Sequence, residues 1–175
     1  HVYIAKPLAV DVPGCRSILD SDRKAAERGL NFLVDFQTRA DDFFIEAAKR
    51  VHEGAIGDIV FGQIYYHAPR LNPQADPNDK SDAARLRNWV FDKVLSGDVI
   101  VEQHIHVLDV SNWYMNAHPT GVYGEGGRKA RTDVGDCWDH FLCLFQYPND
   151  RKVDFSSGQF MRGYSDLCMR VYGAK

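Results

Sequence analysis

Along the first third of the chain, apolar positions recur at strand spacing and then at helical spacing, twice over. Val2-Tyr3-Ile4 is a short apolar run that stops at Lys6-Pro7. A helix is predicted from about Pro13 to Arg28, because proline suits a first helical turn and Gly29 suits the stop. Leu30 to Phe36 is a second apolar run of strand length. Asp41 or Asp42 is placed to cap the next helix. The inward stripe of that helix is Phe44, Ala47, Ala48 and Val51, and Gly54 and Gly57 end it. Residues 1–57 therefore read β-α-β-α, the tail of an alternating fold.

Beyond that point the pattern changes. Ile59 to Ala68 reads as a long strand with Phe61, Gln63, Tyr65 and His67 on one side. A polar, proline-bearing loop is expected from Pro69 to about Ser81, then a helix from about Ala83 to Leu95 carrying Trp89. Ser96-Gly97-Asp98 interrupts it, and a second helix is predicted to run unbroken to about Asn116. Further strands are expected at Gly121 to Tyr123, Cys137 to Tyr147, Val153 to Phe160 and Leu167 to Tyr172, with Asn149-Asp150 as a turn. Gly124-Glu125-Gly126-Gly127-Arg128 reads as a loop between strands. It is not a dinucleotide fingerprint, because its sixth position is Lys129 and no helix clearly follows. Long, mostly antiparallel strands with helices interposed predict an α+β sheet domain at 58–175, after the alternating segment at 1–57.

Composition narrows the function class without naming one. Hydrophobic residues are 45% and charged residues 26% of the 175, an ordinary globular balance. A net charge of -3 gives no reason to expect nucleic acid or an anionic membrane as partner. No apolar run approaches the roughly 20 residues of a membrane helix. The chain begins abruptly at His1-Val2-Tyr3, so an upstream segment is expected to be missing. The compartment is therefore unknown, with the cytoplasm favoured and export left open. Cys15, Cys137, Cys143 and Cys168 form no C-x-x-C pair and are expected to be free thiols, with Cys137 and Cys143 on one side of a strand.

The segment richest in chemistry is Glu102-Gln103-His104-Ile105-His106-Val107-Leu108-Asp109. On one continuous helix, Glu102, His106 and Asp109 stand at i, i+4 and i+7 and share a face. A carboxylate one turn from an imidazole can orient the ring for acid–base work. The alternative is a satisfied, half-buried polar face. His104 and His106, two apart, would point in different directions on a helix, and no metal is expected. Lys6 ends an apolar strand, where ligands of open α/β sheets bind, and its ammonium can stabilise developing negative charge. Read alone it is a surface lysine near a turn. Tyr66, Arg70, Trp89, Trp138, Asp139 and His140 mix aromatic faces with polar groups near strand ends and loops, a mixture that suits sugars and also suits plain sheet packing.

Taken in order, three segments resemble the glucose–fructose oxidoreductase/inositol dehydrogenase (Gfo/Idh/MocA) family. His1-Val2-Tyr3-Ile4-Ala5-Lys6-Pro7-Leu8 looks like its Glu-Lys-Pro strand end. Gly54-Ala55-Ile56-Gly57-Asp58-Ile59 looks like the start of its C-terminal sheet. Leu95-Ser96-Gly97-Asp98 through Glu102 to Asp109, then Trp113, looks like its Gly-Gly…Asp-x-x-x-His-x-x-Asp…Trp helix. The resemblance covers nearly the whole chain. It implies the last β-α-β-α part of a Rossmann fold followed by an open, mostly antiparallel sheet with helices on one face. It also implies NAD or NADP as cofactor, a sugar or polyol as substrate, and a homo-oligomer formed through the open sheet face. Lys6 and Pro7 would lie at the cofactor. Lys6 would hold the reacting hydroxyl, His106 would be the acid–base, and Glu102 would stand where the family usually has Asp. With a sugar or polyol as substrate, the aromatic and polar mixture noted above makes Tyr66, Arg70, Trp89 and His140, together with Asp109, the candidate substrate contacts.

Two departures are visible. Ala5 replaces the usual Glu, which puts the orientation of Lys6 in doubt, and Glu102 is one methylene longer than Asp. Without a G-x-G-x-x-G turn the 175 residues are not expected to catalyse alone. A redox-assisted glycosidase and a non-catalytic sheet module remain as alternatives to a dehydrogenase.

Overall fold

The computed structural model describes residues 1–175. β1 (Val2–Ala5) runs into Lys6 and Pro7, whose peptide bond is cis. α1 (Val12–Ala26) is capped by Asp11, whose carboxylate accepts from the Gly14 N–H at 2.7 Å. β2 (Phe32–Asp35) pairs in parallel with β1 from Val2↔Phe32 to Ala5↔Asp35, so both strands end at the same edge. A 3-10 turn at Gln37–Ala40 leads to α2 (Asp42–His52), capped by Asp41 through the N–H groups of Phe43 and Phe44. The predicted stripe is the buried one: Ala48 is 2% exposed and, with Phe44, Ala47 and Val51, packs against Val110 and Tyr114. Gly54 and Gly57 stop the helix at φ 81° and 72°, values that favour glycine.

The larger sheet has five strands: β3 (Ile59–Pro69), β4 (Gly121–Gly127), β5 (His140–Gln146), β6 (Lys152–Met161) and β7 (Asp166–Gly173). Their spatial order is β4-β5-β6-β3-β7. Only the β3–β6 pairing is parallel, so the sheet is mostly antiparallel, as expected. Between β3 and β4 lie α3 (Asp82–Arg87), α4 (Lys93–Ser96), α5 (Val99–Glu102) and α6 (Ile105–Met115). The strand alternation assigns the faces. Ile64, Val153, Phe155 and Phe141 point to the helices and join Val99, Val107 and Met115 in the main core. Phe61, Gln63, Tyr65 and His67 share the opposite face, as predicted, with Tyr172, Leu142, Leu144 and Tyr123 in register. No element of the chain covers that face.

Four expectations are corrected. The helix predicted over 83–95 is broken, because Asn88 turns its amide to Gln74 and Ala75 in the preceding loop and Asp92 caps a fresh start at α4. The helix predicted through 98–116 is broken at Gln103 and His104. The glycine-rich segment is not a loop but strand β4. Its glycines permit close packing: a Cβ on Gly126 would lie 2.6 Å from the His140 carbonyl and from the Trp138 ring. Finally, the strand predicted from Cys137 begins at His140. Cys137 is held off the sheet by the Phe91 carbonyl, so it does not share a strand with Cys143. All four cysteines are free thiols.

Candidate active site

The parallel pair delivers Lys6 to the carboxyl edge of β1, and the end of α5 delivers Glu102 to the same place. The Lys6 Nζ donates to Glu102 Oε1 at 2.7 Å and also to the Glu102 main-chain carbonyl. The two side chains are only 17% and 13% exposed, so the pair is largely withdrawn from water. Both partners are anchored on backbone ends, which fixes the ammonium better than a pair of surface chains would.

His106 lies in the first turn of α6, with the Phe36 ring edge-on at 6.2 Å. Its Nδ1 is sealed and has no hydrogen-bond partner in the protein, whereas Nε2 is the ring nitrogen left open. Burial, then the Lys6 ammonium, holds its proton affinity below the ordinary value of 6.5, against opposing pulls from Glu102, Asp109 and Asp35. The ring is therefore neutral at neutral pH and can accept a proton.

This differs from the expected face. Glu102, His106 and Asp109 do not share a continuous helix, and neither carboxylate hydrogen-bonds the imidazole. Glu102 turns to Lys6. Asp109 is claimed by Arg39, with Nε and Nη2 at 2.7 and 2.8 Å from the two carboxylate oxygens. The Arg39 guanidinium also stacks 4.7 Å over Trp113. A fixed cation outcompetes a neutral ring for a carboxylate, because charge-assisted bonds are roughly twice as strong.

Of the remaining residues proposed from sequence, only Tyr66 joins this cluster. It shares a cavity of about 160 Å³ with Gln37, Thr38 and His106, and burial, then Glu102, pushes its hydroxyl above the usual value. Three others are placed apart. Arg70 leaves the end of β3 and pairs with Asp133. Trp89 sits in a 3-10 turn, 38% exposed, and makes no hydrogen bond with the cluster. His140 faces the uncovered side of the sheet, where its Nδ1 is 2.6 Å from Asp139. Strand alternation is the reason: Tyr66 and His140 point to opposite faces.

Arg39 was not picked out from the sequence, and His104 was weighed there only as a possible metal ligand. Arg39 carried a usable signal, since it follows closely on the apolar run ending at Phe36. His104 carried none: it is 0% exposed among Tyr66, Phe141 and Phe155, with neither ring nitrogen hydrogen-bonded in the protein.

The fold is an α+β chain with the Lys6–Glu102 pair at the carboxyl end of a parallel strand and the His106 ring beside Phe36, just after the second. Residues 44–175 match the GFO/IDH/MocA C-terminal domain. The chain belongs to the Gfo/Idh/MocA family. It is 26% identical over 170 residues to an inositol 2-dehydrogenase of Pseudomonas fluorescens (strain SBW25), covering 95% of this chain and 44% of that protein. It thus spans less than half of the curated relatives it matches. Among solved structures it resembles an oxidoreductase domain protein from Kribbella flavida, with TM-score 0.83, 21% identity, and 100% and 46% of the two chains covered. It also resembles the super-repressor mutant of Gal80p from Saccharomyces cerevisiae, with TM-score 0.77, 17% identity, and 99% and 46% covered.

Proposed function

We propose that these residues form the substrate-binding, catalytic part of an NAD(P)-dependent oxidoreductase acting on a sugar or polyol, with a cyclitol such as inositol as the first candidate. Residues 1–57 would be the tail of the dinucleotide-binding domain and 58–175 the substrate domain. The observation that carries the reading is the convergence of Lys6, Glu102 and a neutral His106 at the carboxyl ends of β1 and β2.

The residues present fit one end of a dinucleotide. Pro7, next to Lys6 in the chain, lines a cleft of about 480 Å³ walled by Leu8, Val10, Phe36, Val101 and Ile105, apolar enough to receive a flat ring. The phosphates would be held by chain outside these 175 residues, since no glycine-rich phosphate turn is among them. When bound, the nicotinamide supplies a hydride acceptor. The protein's own residues do the rest. His106 takes the hydroxyl proton on Nε2. Lys6 donates to the same oxygen and stabilises its developing negative charge. Glu102 holds the Lys6 ammonium in place. Asp109, locked by Arg39, and Tyr66 border the site and are the remaining candidates for substrate hydroxyls. The uncovered sheet face, with Tyr123, Leu142 and Leu144 71%, 59% and 41% exposed, is the proposed surface for self-association.

The test is an NADH fluorescence titration of this chain beside the whole protein, followed by dinucleotide reduction with a panel of cyclitols and sugars. Binding by the whole protein alone, and reduction with at least one polyol, is expected. Binding by neither would sink the redox reading and favour a non-catalytic module, the reading to which the likeness to Gal80p lends weight. Cleavage of an aryl glycoside without net NADH formation would instead identify a redox-assisted glycosidase.

A further inference from the structure

The break between α5 and α6 is what separates Glu102 from the face it would otherwise share with His106. At the break the Val99 carbonyl accepts the N–H groups of both Gln103 and His104, at 2.9 and 3.1 Å, so the turn is wider than an α-turn. Gln103 is not free there. Its Oε1 accepts a hydrogen bond from Nε2 of Gln159 on β6, and Gln159 Oε1 accepts from Nη2 of Arg131 at 2.5 Å. Gln159 and Arg131 are each 1% exposed.

Arg131 is an unusual group to bury. Of the acids around it, Asp133 is engaged by Arg70, and Asp139 by three main-chain N–H groups and His140. The Arg131 guanidinium is left with the Leu71 carbonyl at 3.2 Å, the Gln159 oxygen and the Phe91 ring at 4.4 Å. A buried cation without a carboxylate is costly, and here it imposes a direction. Arginine only donates, so the oxygen of Gln159 must face it. The Gln159 NH₂ is then left for the oxygen of Gln103. The amide chain has one orientation, and it ends at the residue beside Glu102.

We propose that Gln159, oriented by the buried Arg131, is a positioning residue for the candidate site: by holding Gln103 in the break it keeps the Glu102 carboxylate on Lys6. The inference rests on the proposed roles of Lys6, Glu102 and His106, but its test needs no turnover. With the chain cut, residues 99–115 are free to close into one helix, and Glu102 leaves Lys6 for a place one turn from His106.

The charged groups acting on His106 are Lys6 after β1, Asp35 at the end of β2, Glu102 at the end of α5 and Asp109 on α6, and the titratable Tyr66 on β3 and Cys168 on β7 line the same cavity as its ring. Asp109 stays locked by Arg39. A carboxylate that gains a turn-spaced position on the imidazole raises its titration midpoint. The experiment is an NMR pH titration of the His106 ring in the whole protein, for Gln159→Met, Gln103→Met and the double variant. The expected result is an upward shift of the midpoint in each single variant, with the double no further shifted than either single. A role confined to stability would lower the melting temperature and leave His106 alone. An unchanged midpoint in a folded Gln159→Met protein overturns the proposal, as does an additive double variant. If Gln159→Met does not fold, Gln103→Met decides, because its side chain is only partly buried: an upward shift supports the proposal and an unchanged midpoint overturns it. Should the midpoints shift as expected while the whole protein reduces no dinucleotide, the proposed function fails and the positioning role stands.

Discussion

His104→Leu is expected to stabilise the protein and to remove part of its acid sensitivity. The ring is fully buried, its centroid 5.0 to 5.8 Å from those of Tyr66, Phe155 and Phe141, and both nitrogens lack partners in the protein. Replacing it with an apolar side chain of similar size removes two unsatisfied polar atoms, for a gain of about 1 kcal/mol or more near neutral pH. The acid effect is larger. Burial, and secondarily His67, push the proton affinity of His104 down from 6.5 to about 3. The unfolded chain therefore binds a proton that the folded one refuses throughout the window from pH 6.5 down to about 3. Stability rises with pH wherever the unfolded state holds more protons, so it falls as the solution is acidified through that window. Between pH 7.5 and 4.5 this one residue should remove about 2.5 kcal/mol, or roughly 5–10 °C in melting temperature for a chain of this size. The assay is thermal and urea unfolding of both proteins at the two pH values. Other titrating groups are common to both and cancel in the difference. If wild type and His104→Leu lose stability in parallel over that interval, the reasoning about a buried neutral imidazole is wrong.

Further outcomes follow from the site. His106→Ala in the whole protein should lower kcat/KM by roughly 10²–10⁴ while dinucleotide binding is retained. In the wild type, kcat/KM for oxidation should fall as pH drops through the His106 midpoint, below 6.5, and this acid limb should vanish in the variant. Lys6→Met should cost on the order of 10²–10³ in kcat. Lys6→Arg should restore little of it, because a planar guanidinium cannot meet both the carboxylate and the carbonyl of Glu102 as a compact ammonium does. Asp139→Ala should destabilise the fold by about 3 kcal/mol or more, since it strands the N–H groups of Lys129, Ala130 and Arg131, read by urea unfolding. Burial alone would raise the Asp139 carboxyl, but those donors and His140 outweigh it and hold it below the usual range. Its stabilisation should therefore be complete above the ordinary carboxyl range and vanish as pH falls through the depressed midpoint.

The order of elements up to β3, the capping of α2 by one of Asp41 and Asp42, its buried stripe and the placing of Lys6 at a strand end were all legible in the sequence. Those features depend on residues within a few positions of one another, where apolar periodicity and capping chemistry act directly. The outcomes that rested on distant partners were not legible. Glu102 meets a lysine 96 positions away, Asp109 an arginine 70 positions away, and Gln103 a glutamine 56 positions away. None of those partners can be read from spacing along 98–116, because each stands on an element that only the tertiary fold brings near, and a buried charge or amide left without a partner is costly enough to outweigh local helical preference. The same holds for His140, whose face was set by the register of β5 on β6 and not by its neighbours in the chain. Local spacing could assemble the chemistry of Lys6, Glu102 and His106, but only the packing of α5 and α6 between the parallel pair and the sheet decided which of them touch.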